Sequence, residues 1–480
     1  MRPDFLLSSM NLAREFLLRL EREPSPWTGV PPETLQRVAA RWSSVRRMKA
    51  WLDDAVKERG SQVPHSTLTR WLFTAKLSED ATDVRDALIP CIDHADPGLM
   101  DALVDAGLDD EASQSIALGL AQHARGAAAD LDKLEAARVG AVQDEGTEPH
   151  RCMATPLVRT KGQVVQLRLG EVRMKLTLRS YDRLAYKFQG TETEFHEALF
   201  CMLCVYETLN YRDLSPPVAP VSAKAKTRAG ARACRMRARG GREGSGARSI
   251  VYGLLRCAGS SEGYQAAIPD GCFEVLQQFF GVEHECFASP LNCYYHSFSS
   301  AFPNVDSAFG SIGSFFELRR VYTSGGSFEA NPPFIEGVMM VVALYLLDWL
   351  ESELSHPLSF VLFLPSGGQA ESAWHRMARS SHCRKVLKFD EAPVGYRAGF
   401  SHRPGLSSIV MYCRTSVLFL RNDKGHERWP LADDALDALE DSLGAHRIGW
   451  VTQARVAQLG QPLQRVTKMR EPRVLPDSAV

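Results

Sequence analysis

The first 145 residues have the hydrophobic periodicity of α-helices. In "PPETLQRVAARWSSVRRMKAWLDDAVKER" the apolar side chains recur every three or four positions. They are Leu35, Val38, Trp42, Val45, Met48 and Leu52. Two prolines precede this predicted helix and Gly60 follows it, and two further helices are predicted on either side of Gly107. The pattern contains no catalytic spacing, so residues 1–150 are predicted to form a helical accessory domain.

Between about residues 155 and 215 the pattern changes to alternation. In "QVVQLRLGEVRMKLTL" apolar residues occupy every second position and basic residues lie between them, which is typical of half-buried strands. Gly170-Glu171 separates the two runs and predicts a hairpin turn. The helical pattern "EFHEALFCMLCVYETL" follows. Residues 151–215 are therefore predicted to be a basic β-hairpin with a helix that packs on the core.

Residues 216–249 have few bulky apolar groups. From Lys224 to Arg248 there are nine Lys or Arg residues and one acidic residue, Glu243. This composition predicts a disordered basic insertion. It fits an RNA-binding or nuclear-import segment as well as it fits a solvated loop.

From Ile250 onward, strand and helix patterns alternate. "VEHECFASP", "SFEANPPF" and "LSFVLFLP" predict strands, and "SIVMYCRTSVLFLRND" predicts a closing pair of strands. "GCFEVLQQFFG", "LNCYYHSFSSAF" and "IEGVMMVVALYLLDWLESEL" predict helices. The alternation predicts an α/β fold with a mostly parallel, doubly wound sheet over residues 250–445. Residues 446–480 lose periodicity and predict a C-terminal tail.

Composition adds few constraints. The chain has 480 residues and a net charge of -1, so two to three domains are expected and charge has to be read locally. No signal peptide and no apolar run of about 18 residues is present, so neither a membrane span nor a membrane partner is expected. Eleven cysteines without a secretory signal indicate a reduced, intracellular setting. Cys201 and Cys204 form the one Cys-x-x-Cys pair and lack further ligands at metal spacing, so no metal site is predicted.

The local charge that matters lies on the polar face of the predicted hairpin. Its basic residues are Arg168, Arg173, Lys175 and Arg179, with Arg183 just beyond. A solvated strand face is one interpretation. The other is a surface that contacts the phosphates of a nucleic acid, independently of base sequence.

Two predicted strand ends carry unusual chemistry. Ligands of an open α/β sheet bind outside the carboxyl ends of its strands. The first end runs from Glu285 to Asn292, where small residues allow close backbone approach and a helix start would offer free N–H groups. It lacks G-x-G-x-x-G, so it favours a cofactor without a pyrophosphate, such as S-adenosylmethionine.

The second end is the tetrapeptide Asn331-Pro332-Pro333-Phe334. The lone pair of an exocyclic amine on a base is delocalised into the ring, which makes the amine a poor nucleophile. Two hydrogen-bond acceptors directed at its N–H groups favour a lone pair that is localised on the nitrogen. The Asn331 side-chain oxygen and the rigid Pro332 carbonyl are candidates for these acceptors, and Phe334 offers a flat surface for stacking. The alternative is an Asn-Pro turn before a helix.

These motifs carry a family resemblance. Asn331 to Phe334 matches the D/N-P-P-F/Y/W motif of adenine-N6 methyltransferases. "ECFASPLNCYY", "SAFPNVDSAFGSIGS", "GSFEANPPF", "PLSFVLFLP", "SVLFLRND" and "SYDRLAYKF" resemble the cap-specific mRNA adenosine-N6-methyltransferases, also called the phosphorylated-CTD-interacting factor family. The likeness covers roughly residues 155–445.

The resemblance implies a Rossmann-like class I methyltransferase core with a helical partner domain, S-adenosylmethionine as methyl donor, and capped RNA as partner. The acceptor would be the N6 amine of the first transcribed adenosine. Asn331, Pro332, Pro333 and Phe334 would hold the adenine. The implied cofactor residues are Glu285, Phe287, Ala288, Ser289, Pro290 and Asn292, with Gln265 from a closing loop and Asp306 at the ribose.

The sequence also departs from the family. Animal members have an N-terminal WW domain, whereas Trp27, Trp42, Trp51 and Trp71 lack the aromatic strand pattern of that fold. We therefore expect a chain without a WW domain and without WW-mediated binding to the polymerase tail. We also expect a monomer, located in the nucleus or alternatively in the cytoplasm. The acceptor could instead be another RNA or DNA, the product could carry a second methyl, or the chain could be a catalytically idle RNA-binding homologue.

Overall fold

The computed structural model describes most of the chain. The described residues are 34–64, 66–78, 85–144, 156–209, 266–368, 370–389, 394–397, 402–403, 408–411 and 414–444, together with Arg14, Leu17 and Gly399. Gln265, the basic insertion 216–249 and the tail 446–480 lie outside the described residues. No helix among the described residues is long and apolar enough to cross a membrane.

Helices make up the first described part of the chain, as the periodicity predicts. They are α1 (Leu35–Lys57), α2 (Ser66–Ser78), α3 (Pro97–Asp105) and α4 (Asp110–Asp144). Thr34 caps α1 by accepting a hydrogen bond from the Arg37 backbone N–H. Arg37 and Arg41 both pair with the buried carboxylate of Asp86, which fixes the loop before α3 against α1. These ion pairs hold the pKa of Asp86 below its usual range, against the effect of burial.

A small antiparallel sheet of three strands follows. Its strands are β1 (Leu157–Lys161), β2 (Val164–Leu169) and β3 (Val172–Thr177). Gly170 has φ 56° in the turn between β2 and β3, a conformation that favours glycine, so the predicted hairpin is confirmed. Two helices follow, α5 (Leu178–Lys187) and α6 (Glu192–Leu209). The inner side chains of the sheet pack with α6 and the N-terminal helices in one hydrophobic cluster.

A six-stranded mixed sheet forms the second half of the described chain. Its strands are β4 (His284–Ala288), β5 (Ser297–Ser300), β6 (Gly326–Ala330), β7 (Leu358–Pro365), β8 (Cys383–Phe389) and β11 (Thr415–Arg421). Their order is β5-β4-β6-β7-β11-β8, with the first four parallel and β11 antiparallel to both neighbours. A separate two-stranded ribbon joins β9 (Val394–Arg397) to β10 (Ser408–Met411).

Helices cover both faces of the six-stranded sheet. They are α7 (Asp270–Phe280), α8 (Pro303–Asp306), α9 (Leu318–Val321), α10 (Glu336–Ser352), α11 (Ala373–Ala378), α12 (Asp423–Arg428) and α13 (Asp433–Gly444). Side chains of α7 and α13 pack with Val361 and Phe363 on one face. Side chains of α10 and α11 pack with Phe360 and Leu362 on the other. All eight residues of β7 are buried, which explains the continuous apolar run of that strand.

The molecule is thus a mixed α/β protein, and two details differ from the predictions. The segment "LNCYYHSFSSAF" is not a helix; it turns and then enters the sheet as β5. The two closing strands do not pair with each other, since β10 pairs with β9 and β11 lies between β7 and β8. The six-stranded sheet is mostly parallel, as predicted, and β11 is the strand of the six that runs against its neighbours.

Candidate active site

Asn331 directly follows β6, at the carboxyl end of the parallel part of the sheet. Its Nδ2 donates a hydrogen bond of 2.7 Å to the Ala266 carbonyl oxygen. A carbonyl can only accept, so this contact fixes the orientation of the side-chain amide. The Asn331 Oδ1 atom is buried and has no hydrogen-bond partner among the described residues. The Asn331 side chain therefore presents a fixed hydrogen-bond acceptor that no described residue occupies.

Backbone pairing between Ala267 and Arg397 fixes the segment that carries the Ala266 carbonyl. Ala267 and Arg397 exchange two backbone hydrogen bonds of 3.0 and 2.8 Å, which joins this segment to β9. The side chain of Arg397 donates to the Asn292 carbonyl and to Asp270 Oδ1. One arginine thus links β9, the start of α7 and the loop after β4.

The Pro-Pro-Phe residues form a tight turn into α10. Pro332 is buried, and the Ile335 N–H donates to the Pro333 carbonyl at 2.7 Å. The half-buried Phe334 ring meets Tyr396 edge-on, with 6.4 Å between the ring centroids. The Glu336 carboxylate, in the first turn of α10, accepts from the Ala373 N–H at 2.7 Å. The turn is therefore held on both sides, by packing on the β9 side and by the start of α11.

The loop after β4 is built around Glu285. This side chain is 2% exposed, and its Oε1 accepts from the N–H groups of Tyr294 and Tyr295 at 2.6 and 2.8 Å. Within the loop, Asn292 Oδ1 accepts from the Ser289 N–H and hydroxyl at 2.7 and 2.9 Å. Glu285 and Asn292 thus shape the loop through which the predicted cofactor residues run.

Arg183 reaches this loop from α5. Its Nη2 donates to the carbonyls of Pro290 and Leu291 at 3.0 and 2.6 Å. Lys187, one turn later, contacts Cys293 Sγ at 3.2 Å and lies over the Phe298 ring. Arg183 was predicted to contact RNA, and in the structure its guanidinium is directed at the protein's own loop. The RNA contact stays a prediction.

The remaining predicted cofactor residues lie at different depths. Phe287 packs on Phe315 with 4.5 Å between the ring centroids. Asp306 is fully buried in α8, and Tyr206 donates to its Oδ2 at 2.6 Å. Burial raises the pKa of Asp306 to about 7 despite this hydrogen bond. Half of this carboxyl group is thus used to connect α8 to α6, and its predicted role at a ribose stays a prediction.

Glu329 is a candidate that the sequence analysis missed. It lies opposite Glu285 in the register of β4 and β6 and is also 2% exposed. Its Oε1 is buried without a hydrogen-bond partner among the described residues. Burial, reinforced by the neighbouring Glu285 carboxylate, raises the pKa of Glu329 well above its ordinary value. Two positions before Asn331, the strand therefore carries a buried carboxyl group whose surroundings favour its protonated form.

Glu285 also titrates abnormally. Burial raises its pKa to about 7, although the two backbone N–H donors and the charge of Arg397 oppose the shift. The two carboxyl groups share a desolvated position beneath the strand ends. The sequence signal for Glu329 is a charged residue inside the otherwise uncharged strand "GSFEA".

The predicted basic residues of the small sheet are exposed. Arg168, Arg173 and Lys175 lie on strands β2 and β3, and Arg179 lies in the first turn of α5. No group of three or more His, Cys, Asp or Glu side chains within the described part of the chain is arranged to hold a metal ion.

Comparison with known proteins finds related sequences for part of the chain. Residues 250–399 match the family model described as Phosphorylated CTD interacting factor 1 WW domain. The chain is 38% identical over 180 residues to the mRNA (2'-O-methyladenosine-N(6)-)-methyltransferase of Homo sapiens, which is 37% of this chain and 25% of the human protein. The Mus musculus protein of the same name gives the same identity and coverage. The chain spans about a quarter of the length of the curated relatives that it matches.

The family match corrects one prediction. We expected a chain without a WW domain and without WW-mediated binding to the polymerase tail, and this is wrong, because the matching family model carries that domain name. The expectation rested on the N-terminal tryptophans, which lack the aromatic strand pattern of a WW fold. The match instead covers residues 250–399, the part of the chain that contains β4, β6 and β7.

Proposed function

We propose that this chain is an S-adenosylmethionine-dependent methyltransferase that modifies the N6 amine of the first transcribed adenosine beside the mRNA cap. The named relatives support the reaction and the acceptor, since both are mRNA (2'-O-methyladenosine-N(6)-)-methyltransferases. The observation that carries the proposal is the buried, unpartnered Oδ1 of Asn331, held in place by the bond from Nδ2 to Ala266. An amine with two N–H groups is the kind of ligand that this acceptor fits.

The strand order supports a Rossmann-like methyltransferase core. The chain passes from β4 to β5 on one side and then to β6 on the other, so β4 and β6 flank a topological switch point. Ligands of open α/β sheets bind outside the carboxyl ends of strands at such a point. The loop after Glu285 and the turn after β6 both lie there.

The residues at this edge fit the proposed cofactor. Ala288 and Ser289 are small, and Asn331 Oδ1 and Glu329 Oε1 are buried polar atoms without partners among the described residues. S-adenosylmethionine would supply an electrophilic methyl group. We assign Glu285, Phe287, Ala288, Ser289, Pro290 and Asn292 to the cofactor side, with Asp306 and Gln265 as further candidates.

The adenine side follows from the turn residues. Asn331 Oδ1 and the Pro332 carbonyl would accept hydrogen bonds from the two N–H groups of the amine. These bonds would localise the lone pair on the nitrogen and orient it for attack on the methyl group. Phe334 would stack on the base, and its edge-on contact with Tyr396 would hold the ring. No strong general base is needed for this arrangement, because the acceptors lower the barrier by placement and charge.

The wider organisation is part of the same proposal. We assign residues 1–150 to a helical accessory domain, 151–215 to the basic sheet and its helices, 216–249 to an insertion, 250–445 to the catalytic core and 446–480 to a tail. The phosphorylated-CTD-interacting family description supports a nuclear location.

The test compares short RNAs that begin with adenosine, with and without a cap. Purified protein is incubated with S-adenosylmethionine, and the nucleosides are quantified by mass spectrometry after digestion. N6-methylated adenosine from the capped RNA alone is expected, and a dimethylated product would appear as a separate mass. Equal modification of the uncapped RNA would move the acceptor to general RNA. Cofactor bound without any product would indicate a missing partner or a different acceptor class, whereas no cofactor binding by calorimetry would favour an idle homologue.

Asn331→Ala tests the role of the tetrapeptide. Removal of one preorganised polar group at a reaction centre costs about 10²–10³-fold in turnover, and we expect a loss of this size with cofactor affinity retained by calorimetry. Gln278→Ala, which removes an exposed amide from α7, serves as the matched control and leaves the rate unchanged. An Asn331→Ala protein with more than about a tenth of the normal rate would contradict the assignment.

A further inference from the structure

Every charged side chain on the outer face of the small sheet is positive. Residues directly opposite each other in the β1-β2-β3 register share a face, and three such rows form the outer surface. The five charged side chains of these rows are Arg159, Lys161, Arg168, Arg173 and Lys175, and all five are exposed. Two of them belong to β1, a strand that the sequence pattern did not predict. We call this surface the cationic face.

These charges have no acidic partners within the described part of the chain. Among the residues that the structure describes, none of the five side chains forms an ion pair with a carboxylate, and Arg168 Nε donates to the Gly170 carbonyl at 2.9 Å. Neighbouring strands lie about 4.8 Å apart and alternate residues about 7 Å apart, so the like charges repel each other. The sheet tolerates this because Val165, Leu167 and Leu176 of the inner face are fully buried. A bound polyanion would remove the repulsion.

The cationic face is continuous with the candidate active site through α5. Thr177, the last residue of β3, caps α5 by accepting from the Ser180 N–H, so the helix follows the strand without a loop. Arg183 and Lys187 on the inner side of α5 contact the loop after β4. On another side of the same helix the Tyr186 ring is 88% exposed. An exposed aromatic ring beside basic residues is the arrangement that stacks on unpaired bases.

The spacing of the charges favours a nucleic acid over a phosphorylated peptide. A single phosphoryl group is bound by arginines that converge on one point. Here the charges spread over three strands at regular intervals, which matches the repeated phosphates of a polynucleotide strand.

We propose that the cationic face and Tyr186 together bind the single-stranded RNA that adjoins the methylated adenosine, and that α5 directs this strand to the active site. The inference rests on the proposed function, and it assigns the path of the RNA. The basic side chains contact phosphates independently of sequence, and Tyr186 stacks on one base. Arg183 is not part of this path, because its guanidinium is occupied by the loop carbonyls.

The first test neutralises three charges of the cationic face. Arg168→Gln, Arg173→Gln and Lys175→Gln are combined, and the affinity for a short single-stranded RNA is measured by fluorescence anisotropy between 0.05 and 0.3 M salt. Each lost phosphate contact flattens the slope of log affinity against log salt concentration by about 0.7. The loss of three contacts is therefore expected to flatten the slope by about 2 and to weaken binding about 100-fold at 0.1 M salt. The measurement needs no turnover, so it is independent of whether the methylation proposal holds.

The matched control removes the same net charge elsewhere. Arg125→Gln, Lys385→Gln and Arg428→Gln lie on α4, β8 and α12, and all three side chains are exposed. We expect this variant to keep the slope and nearly all of the affinity. A control variant that weakens binding as much as the test variant would mean that only total charge matters, which overturns the proposed path.

The second test separates stacking from charge. Tyr186→Ala removes the ring, and a lost base stack weakens RNA binding by about 5- to 10-fold with the salt slope unchanged. Tyr186→Phe keeps the ring and is expected to bind normally. Unchanged affinity in Tyr186→Ala would remove this residue from the path.

A phosphorylated peptide provides the opposing outcome. If the triple cationic-face variant keeps its RNA affinity but loses affinity for a phosphoserine peptide of the polymerase tail, the surface binds peptide and the proposal is wrong. If Asn331→Ala stays active while the triple variant loses RNA affinity, the function of the tetrapeptide is wrong and the RNA path stands. Circular dichroism checks that each variant folds, which is expected for the charge variants and the Tyr186 variants because their substituted side chains are exposed.

Discussion

The two sheets of this protein handle polar side chains in opposite ways. In the six-stranded sheet both faces are covered, and β7 is buried along its whole length. Glu285 and Glu329 carry the two carboxyl groups on the strands of this sheet, and both side chains are buried. In the three-stranded sheet one face packs inward and the other meets solvent, so polar residues on the outer face are ordinary.

The difference between the sheets shows which polar residues indicate a functional site. A buried carboxyl group is costly unless it is paired, so its presence in the large sheet points to a site even when only one such residue is seen. An exposed arginine on the small sheet signifies nothing by itself. There the informative feature is collective, because every charged side chain of the three outer rows is positive.

The sharpest test of this contrast removes one large apolar side chain from each sheet. Phe328 in β6 is fully buried and stacks on Phe360 with 5.0 Å between the ring centroids. Phe328→Ala is expected to lower the free energy of unfolding by about 3–5 kcal/mol. Leu157 in β1 is 62% exposed, and Leu157→Ala is expected to change it by less than about 0.5 kcal/mol.

Denaturant unfolding followed by fluorescence measures both values. A large cost for Leu157→Ala would mean that the outer face of the small sheet is covered in solution. The two sheets would then not differ as described, and the RNA path would lose its surface.

A second test uses the buried carboxyl groups. The folded-state pKa of Glu285 is about 7, whereas an unfolded glutamate titrates near 4.5, so the unfolded chain binds fewer protons between these values. The contribution of Glu285 to stability is therefore fully present below pH 4.5 and is lost as the pH rises through about 7. The total loss in the free energy of unfolding is about 3 kcal/mol. Burial also raises the pKa of Glu329, so this carboxyl group contributes a decline of stability with the same sign.

Glu329→Gln keeps the shape of the side chain and removes its titration. We expect the variant to be more stable than the natural chain at pH 8 and to show a shallower decline between pH 5 and 8 in thermal unfolding. Glu427→Gln, at an exposed position in α12, serves as the control and leaves the decline unchanged. An equally steep decline in Glu329→Gln would mean that this carboxyl group is not the source.

The smallest effect is expected where α5 contacts the loop after β4. Arg183→Ala leaves the carbonyls of Pro290 and Leu291 without their donor, which costs roughly 1–2 kcal/mol locally. Hydrogen exchange of residues 289–295 is expected to accelerate about 10-fold, which is the rate equivalent of about 1.4 kcal/mol. Arg179→Ala, one turn earlier and exposed, provides the control. Unchanged exchange in the Arg183 variant would show that the loop holds its shape without α5.

The sequence predicted those elements whose side-chain pattern is local. The apolar run of β7, the turn at Gly170 and the long helix α10 are confirmed, because burial on two faces, a positive φ and helical spacing each leave a pattern in adjacent residues. Strand β1 escaped prediction because four of its five residues are exposed, so its pattern is polar and shows no alternation.

Tertiary contacts decided the rest. "LNCYYHSFSSAF" has helical spacing, yet the Glu285 carboxylate binds the N–H groups of Tyr294 and Tyr295 and removes them from any helix. The importance of Glu329 depends on its position opposite Glu285, which requires that β4 and β6 be neighbours. The inward direction of Arg183 likewise depends on where α5 meets the loop after β4. None of these facts is contained in a window of adjacent residues.

The bond between Asn331 and Ala266 has a consequence for the order in which the protein matures. The carbonyl that orients the amide is held by the pairing of Ala267 with Arg397, which lies more than 60 residues beyond Asn331 in the sequence. A chain emerging during synthesis therefore completes the sheet around β6 before its acceptor atom is fixed. Until residues 394–397 arrive, the amide can rotate about its last bond and presents no defined acceptor. Chains that stop short of residue 394 would therefore lack the fixed acceptor on which the proposed reaction depends.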